Sequence, residues 1–119
     1  PRKASAPNGH ATEGASNHTR TQVVDVAAPG VNVYSTFPNH TFVLGEQNGR
    51  SWGYDVGNGT SVSSAIIAAV AALAWSSDPG ATHTSVRATV ESTADKITGT
   101  GTSWAHGRVN ACNAVKCIR

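Results

Sequence analysis

Apolar residues are unevenly spread along this chain. Most of it is interrupted every few positions by Gly, Ser, Thr or Asn, but Ala65 to Trp75 is an unbroken apolar run of eleven. The whole stretch from Thr60 to Ser76 is apolar on every side of a helical wheel, which predicts a helix buried through the middle of a domain. Asp78-Pro79-Gly80 ends it. From Thr84 to Thr93, Val86 and Val90 recur at helical spacing while Arg87 and Glu91 fall on another face, four apart and placed to pair. That is the pattern of an amphipathic surface helix. Val109 to Val115 reads as a last helix. Upstream, Gln22 to Val26 is a β-branched run stopped by Ala27-Ala28-Pro29-Gly30, and Val31 to Thr36 alternates apolar with polar. Both read as strands, with Pro29-Gly30 as the turn. Lys96-Ile97-Thr98 reads as a short strand and Gly99 to Gly101 as a loop. Residues 1–21 show no period and read as an irregular leading segment, and residues 38–58, rich in Gly, Asn and single charges, as a surface loop.

Strand, buried helix and amphipathic helix in this proportion predict an α/β layer structure. One very apolar helix with few strands cannot be covered on all sides, so a wet apolar face, and a missing partner for it, are expected.

Composition narrows the class. The chain has 119 residues, enough for one small domain, and its 39% hydrophobic content supports a core. Charged residues are only 13%, against about a quarter in an average protein, while Ser, Thr, Asn and Gly are abundant. This balance is common in secreted proteins and uncommon in cytosolic ones, so a secreted, extracellular location is expected. The sequence has no Met and starts at Pro1, so it reads as a processed product or a segment of a longer polypeptide. The net charge of +2 comes from scattered lysines and arginines with no basic run, so neither nucleic acid nor an anionic membrane surface is an expected partner. Eleven apolar residues are too few to span a bilayer, and no membrane role is expected.

The richest chemistry lies just before the apolar run, at Asn58-Gly59-Thr60-Ser61. A small-residue turn ending in a hydroxyl at the head of a helix places Ser61 among unpaired N–H groups at the positive end of the macrodipole, where an oxyanion is stabilised. A nucleophile is one reading. A plain N-cap role for Thr60 or Ser61 is the other, and the segment alone leaves both open. Asp25, between two valines, needs a partner, and backbone hydrogen bonds are one way to supply it. Cys112 and Cys117 lie five apart. In a secreted chain they are expected to close a small terminal disulfide loop, which requires the last helix to fray or stop near Val115, since an ideal helix holds them too far apart; two free thiols are the alternative. The spacing is not that of a redox C-x-x-C centre. Five histidines stand at positions 10, 18, 40, 83 and 106, each reading as a surface polar residue.

Several ordered blocks carry a family resemblance: Val24-Asp25-Val26-Ala27-Ala28-Pro29-Gly30, Val33-Tyr34-Ser35-Thr36, Asn58-Gly59-Thr60-Ser61, Thr93-Ala94-Asp95-Lys96-Ile97, Gly99-Thr100-Gly101-Thr102 and Gly107-Arg108-Val109-Asn110-Ala111. Together, from roughly Val23 to Val115, they closely resemble the C-terminal part of subtilisin-like serine proteases, in the thermitase branch. The resemblance implies that residues 1–119 are part of a catalytic domain, the C-terminal portion of a three-layer fold with a mostly parallel sheet and a buried central serine helix. It implies that Ser61 is the catalytic serine and that Asn58, Gly59 and Thr60 line the substrate site. The catalytic aspartate and histidine and the oxyanion asparagine are then expected from a complementary N-terminal part, with a peptide or protein as substrate. No cofactor is implied for this chain, although calcium is possible in the complete enzyme, and a weak cation site near the Asp25 strand in relatives makes Asp25 a metal-ligand candidate. The chain departs from the family where Met-Ala, one more residue and Pro-His usually follow the serine: here stand Val62-Ser63-Ser64-Ala65-Ile66. Residues 38–58 are longer than the family pattern and read as an insertion. A rival of another class is a non-catalytic pseudoprotease remnant or binding subunit that keeps the serine helix for packing.

Overall fold

The structure, a computed structural model, describes residues 24–118, with side chains to Lys116 in the last helix. The irregular segment 1–21, and Gln22 and Val23 of the expected first strand, lie outside these residues. Alternation from Val33 produces strand β1 (Val33–Thr36). It pairs antiparallel with β2 (Tyr54–Gly57) in the register Val33 to Gly57 and Thr36 to Tyr54. That register puts Tyr34 and Tyr54 on one face as diagonal neighbours, and their rings stack at 5.9 Å. Between the strands, helix α1 (Val43–Asn48) ends at Gly49 in the left-handed conformation. The stretch 38–58, expected as a loop, therefore holds a helix and a strand. Tyr-Asp-Val-Gly is too short and too glycine-flanked to read as a strand by itself; it becomes one by pairing with β1. Asp55 reinforces the turn before it, accepting from the N–H groups of Ser51 and Val56 at 2.7 Å each.

Helix α2 (Thr60–Ser77) contains the apolar run and packs on α3 (His83–Ser92) and α4 (Ala111–Ile118). Thr82 caps α3 by accepting from the Ser85 N–H. Val70 and Ala74 of α2, Val86 and Val90 of α3, Ala114 of α4 and the flanking Ala28 and Val109 make the main core. Val86 and Val90 are thus the buried stripe that their spacing predicts. The small residues let the helices approach closely, so the core is thin.

Helix α2 is not buried on every side. Its only buried residues are Ser63, Val70 and Ala74, and Leu73 and Trp75 are 52% and 42% exposed. The all-round burial expected from apolarity is not met, whereas the expected wet apolar face is: the described residues cover one flank only. The apolar run also sits inside an 18-residue helix, about 27 Å long, so by length and composition it would reach across a bilayer. Core helices of globular proteins pass the same test, and this one has partners within the chain.

Short backbone ladders complete the frame. The segment 24–28 runs beside 105–109, with the Ala27 N–H donating to Gly107 O and the Val109 N–H to Ala27 O. On the other side, Arg108 and Asp95 exchange both backbone hydrogen bonds. These contacts are isolated bridges, so neither Gln22 to Val26, as far as it is described, nor Lys96-Ile97-Thr98 forms the expected strand. Among the described residues the only extended sheet is the antiparallel β1–β2 pair, with isolated parallel bridges between Ala27 and Arg108 and between Thr100 and Trp104. A second cluster, Val24, Ala27 and Trp104 with Ile97, anchors the 97–104 loop, and Trp104 Nε1 donates to Thr98 O at 3.1 Å.

Candidate active site

The chain leaves β2 at Gly57 and turns through Asn58 and Gly59 into α2. Gly59 has φ 124° and ψ 166°, a region that essentially only glycine occupies. Its N–H donates to Gly30 O at 2.7 Å, and the Asn58 Oδ1 accepts from the Asn32 N–H at 2.7 Å. Asn32 itself sits at φ 52°. The turn before the serine is therefore clamped at both residues to the segment that follows Pro29.

Gly59 is the N-cap of α2 and no side chain caps it. Thr60 and Ser61 are the first two helical residues, so the structure removes the reading of either as an N-cap. Ser61 is exposed. Its Oγ folds back over Gly59, 3.6 Å from where a Cβ at that position would stand. No hydrogen bond among the described residues engages this hydroxyl. It stands at the helix end where N–H groups point outward and the macrodipole is positive. The arrangement offers an accessible hydroxyl beside donors aimed at a developing negative charge.

Two residues further on, Ser63 is wholly buried, and its hydroxyl reaches the Ala28 and Pro29 carbonyl oxygens at 3.0 and 3.1 Å. It locks the first turn of α2 to the same 28–32 segment that clamps Asn58 and Gly59. Sequence reading assigned no role to Ser63 or Asn32. The available signal was a lone hydroxyl on the flank of the helix that carries Val70 and Ala74.

The remaining candidates fall elsewhere. The Asp25 carboxylate meets Arg87 Nη2 at 3.0 Å, and Arg87 Nε reaches Glu91 at 2.7 Å, the pair expected from their spacing. His106 Nε2 lies 3.3 Å from the other oxygen of Glu91, so this partly exposed histidine sits beside the Asp25–Arg87–Glu91 ion pairs. The donors that the described residues bring to Asp25 are thus a carboxylate and an imidazole. Calcium takes oxygen ligands, six to eight of them, so these residues do not fit it. His40 contacts the Thr41 carbonyl and His83 opens α3; His10 and His18 lie outside the described residues. Asp95 is held below the usual carboxylate range, first by two hydrogen bonds from Asn110 Nδ2 and then by Arg108. It ties α4 to the 95–108 ladder and has no contact with Ser61.

The condition for a Cys112–Cys117 bridge is not met. Helix α4 runs past Val115 to Ile118 and Cys112 carries a free, exposed thiol; the side chain of Cys117 lies outside the described residues. Five residues along a helix separate Cα atoms by roughly 8 to 9 Å, beyond the ~7 Å a disulfide spans.

Comparison with known proteins places this geometry. The pattern of the subtilase family matches residues 4–109. Thermitase from Thermoactinomyces vulgaris is 47% identical over 94 residues, which cover 79% of this chain and 29% of that protein. The thermophilic serine proteinase of Bacillus sp. (strain AK1) is 41% identical over 92 residues, 77% of this chain and 20% of its own length. Among solved structures, the Pseudoalteromonas arctica PAMC 21717 proteases superimpose with a TM-score of 0.67 at 30% identity, over 82% of this chain and 30% of that one. The A-subunit of the AB5 toxin from E. coli gives 0.64 at 30% identity, over 83% of this chain and 29% of that one. The chain spans less than a third of the length of these curated relatives.

Proposed function

The chain belongs to the subtilase family, and from that premise we propose that it is the nucleophile-bearing part of a secreted, subtilisin-like serine endopeptidase. Ser61 attacks the carbonyl carbon of a peptide substrate. Its proton passes to a base and its own backbone N–H donates to the oxyanion; the base then returns the proton to the leaving amine as the C–N bond breaks, and the acyl-enzyme left behind is hydrolysed by water. The base, the residue that orients it and the second oxyanion donor come from outside these 119 residues. That expectation is supported by the small share of each relative that the chain covers. Asn58, Gly59 and Thr60 shape the substrate side of the turn. The uncovered flank of α2, with Leu73 and Trp75 exposed, is read as the face that the rest of a three-layer domain covers. Secretion is supported by the low charge content.

The observation that carries the proposal is an exposed Ser61 hydroxyl, free of any capping role, on a turn that a glycine-only conformation and two cross-chain hydrogen bonds hold in place. A merely structural serine needs none of this. In the assembled protease, Ser61→Ala is expected to abolish peptide hydrolysis while leaving the fold intact. Hydrolysis that survives the substitution would hand the case to the rival reading, a binding subunit that keeps the helix for packing, which the Ala65 and Ile66 departures favour.

A further inference from the structure

A second constellation lies where segments 24–28 and 105–109 meet α3. One donor atom from each of Asp25, Glu91 and His106 lies within 4.8 Å of the others. We propose that these three side chains bind a divalent transition metal of the zinc type, through one carboxylate oxygen each of Asp25 and Glu91 and Nε2 of His106.

The frame is set by the backbone. The His106 N–H donates to Asp25 O at 2.9 Å and the Ala105 N–H to Val24 O at 3.0 Å, which fixes Asp25 and His106 side by side. Glu91 projects from the last turn of α3, a helix anchored in the core by Val86 and Val90. In a tetrahedral zinc site with bonds of about 2.0 to 2.1 Å, donor atoms stand roughly 3.3 Å apart. His106 Nε2 and Glu91 Oε2 are already 3.3 Å apart. The third donor has to close by no more than about 1.5 Å to reach the spacing of a zinc site. Two carboxylates and an imidazole suit zinc, whereas an imidazole nitrogen argues against calcium or magnesium. Three protein ligands leave a fourth position open.

Arg87 is the evident competitor, and its geometry decides its role. It takes Glu91 through Oε1, while His106 meets Oε2, and Asp25 through Oδ2. It therefore orients the carboxylates as an outer partner of a metal site does. Its own side chain is 62% exposed and can yield. Among the described residues two carboxylates meet one guanidinium, and Lys96 Nζ lies 3.5 Å from the His106 carbonyl. None of these residues contacts Ser61.

The test is calorimetric titration of zinc into the metal-free native protein and into His106→Ala and Glu91→Gln variants, with circular dichroism to confirm the fold. Saturable one-to-one binding is expected in the native protein, weakened roughly 100-fold or more in each variant, beyond the 10- to 100-fold that an outer partner costs. If Glu91→Gln does not fold, His106→Ala and His106→Asn carry the comparison, since His106 is partly exposed. Absence of saturable binding to the native protein, or affinity unchanged in the His106 variants, overturns the site.

Discussion

The hydroxyl of Ser63 donates to the carbonyl oxygen of Ala28 at 3.0 Å, across 35 residues of sequence and with no solvent access at the serine. This contact joins the helix that begins at Thr60 to the segment from which Asn32 and Gly30 grip Asn58 and Gly59. Two serines two positions apart therefore have opposite settings, one buried and positioning, the other exposed and assigned the nucleophile's role in the proposed mechanism. Ser63→Ala removes a buried donor and is expected to cost about 1 to 3 kcal/mol, whereas exposed Ser61→Ala should change stability by less than about 0.5 kcal/mol. Urea unfolding of both variants checks the ranking; equal stabilities would mean that Ser63 does not hold the helix.

Gly59 is the next constraint. At φ 124° and ψ 166° a Cβ is strained whatever space surrounds it, so Gly59→Ala should destabilise by about 1 to 3 kcal/mol and re-aim Ser61. In the assembled protease kcat should fall more than KM rises. A variant with unchanged kcat would show that the turn tolerates other geometries.

Acid sensitivity follows from Asp95. Its carboxyl is depressed below the ordinary 3.8 by Asn110 and then Arg108. A depressed native value means that the unfolded state binds the proton more readily. The stabilisation is therefore complete above the ordinary value and is lost as pH falls through the depressed one. Asn110→Ala should shrink this acid-side loss, read as Tm against pH between about 5 and 2. A parallel downward shift at every pH would assign Asn110 to packing alone.

The cysteines give a chemical check. With both on α4, more than one turn apart, alkylation without reduction should label Cys112 and Cys117, counted by intact mass. An unlabelled pair would mean that α4 unwinds after Val115 and that the disulfide forms.

Much of this was legible in the residues, for reasons that differ by element. Helix α3 is read correctly because Val86 and Val90 have a polar face to contrast with. The extent of α2 and the existence of an uncovered face are also legible, but which flank stays open is not, since an all-apolar wheel carries no information about which side finds a partner. Strand β2 escapes reading because its four residues gain their identity from β1, twenty residues upstream. The turn at Asn58-Gly59 is visible as small residues before an apolar run, yet Asn32 and Ser63 are not, because their roles depend on contacts across 26 and 35 residues. His106 likewise becomes notable only beside Glu91.

The central claim is that Ser61 is a nucleophile awaiting a base from outside these residues. Labelling by a fluorophosphonate probe tests it directly, first on this chain alone and then after mixing with the complementary part of the protease, with Ser61→Ala as the blank. Without a base a serine hydroxyl is a weak nucleophile, and a missing oxyanion donor by itself lowers the rate by about 100- to 1,000-fold. The account predicts negligible labelling of the isolated chain and strong labelling of the mixture, lost in Ser61→Ala. Strong labelling of the isolated chain, or none in an assembled and folded mixture, would contradict it.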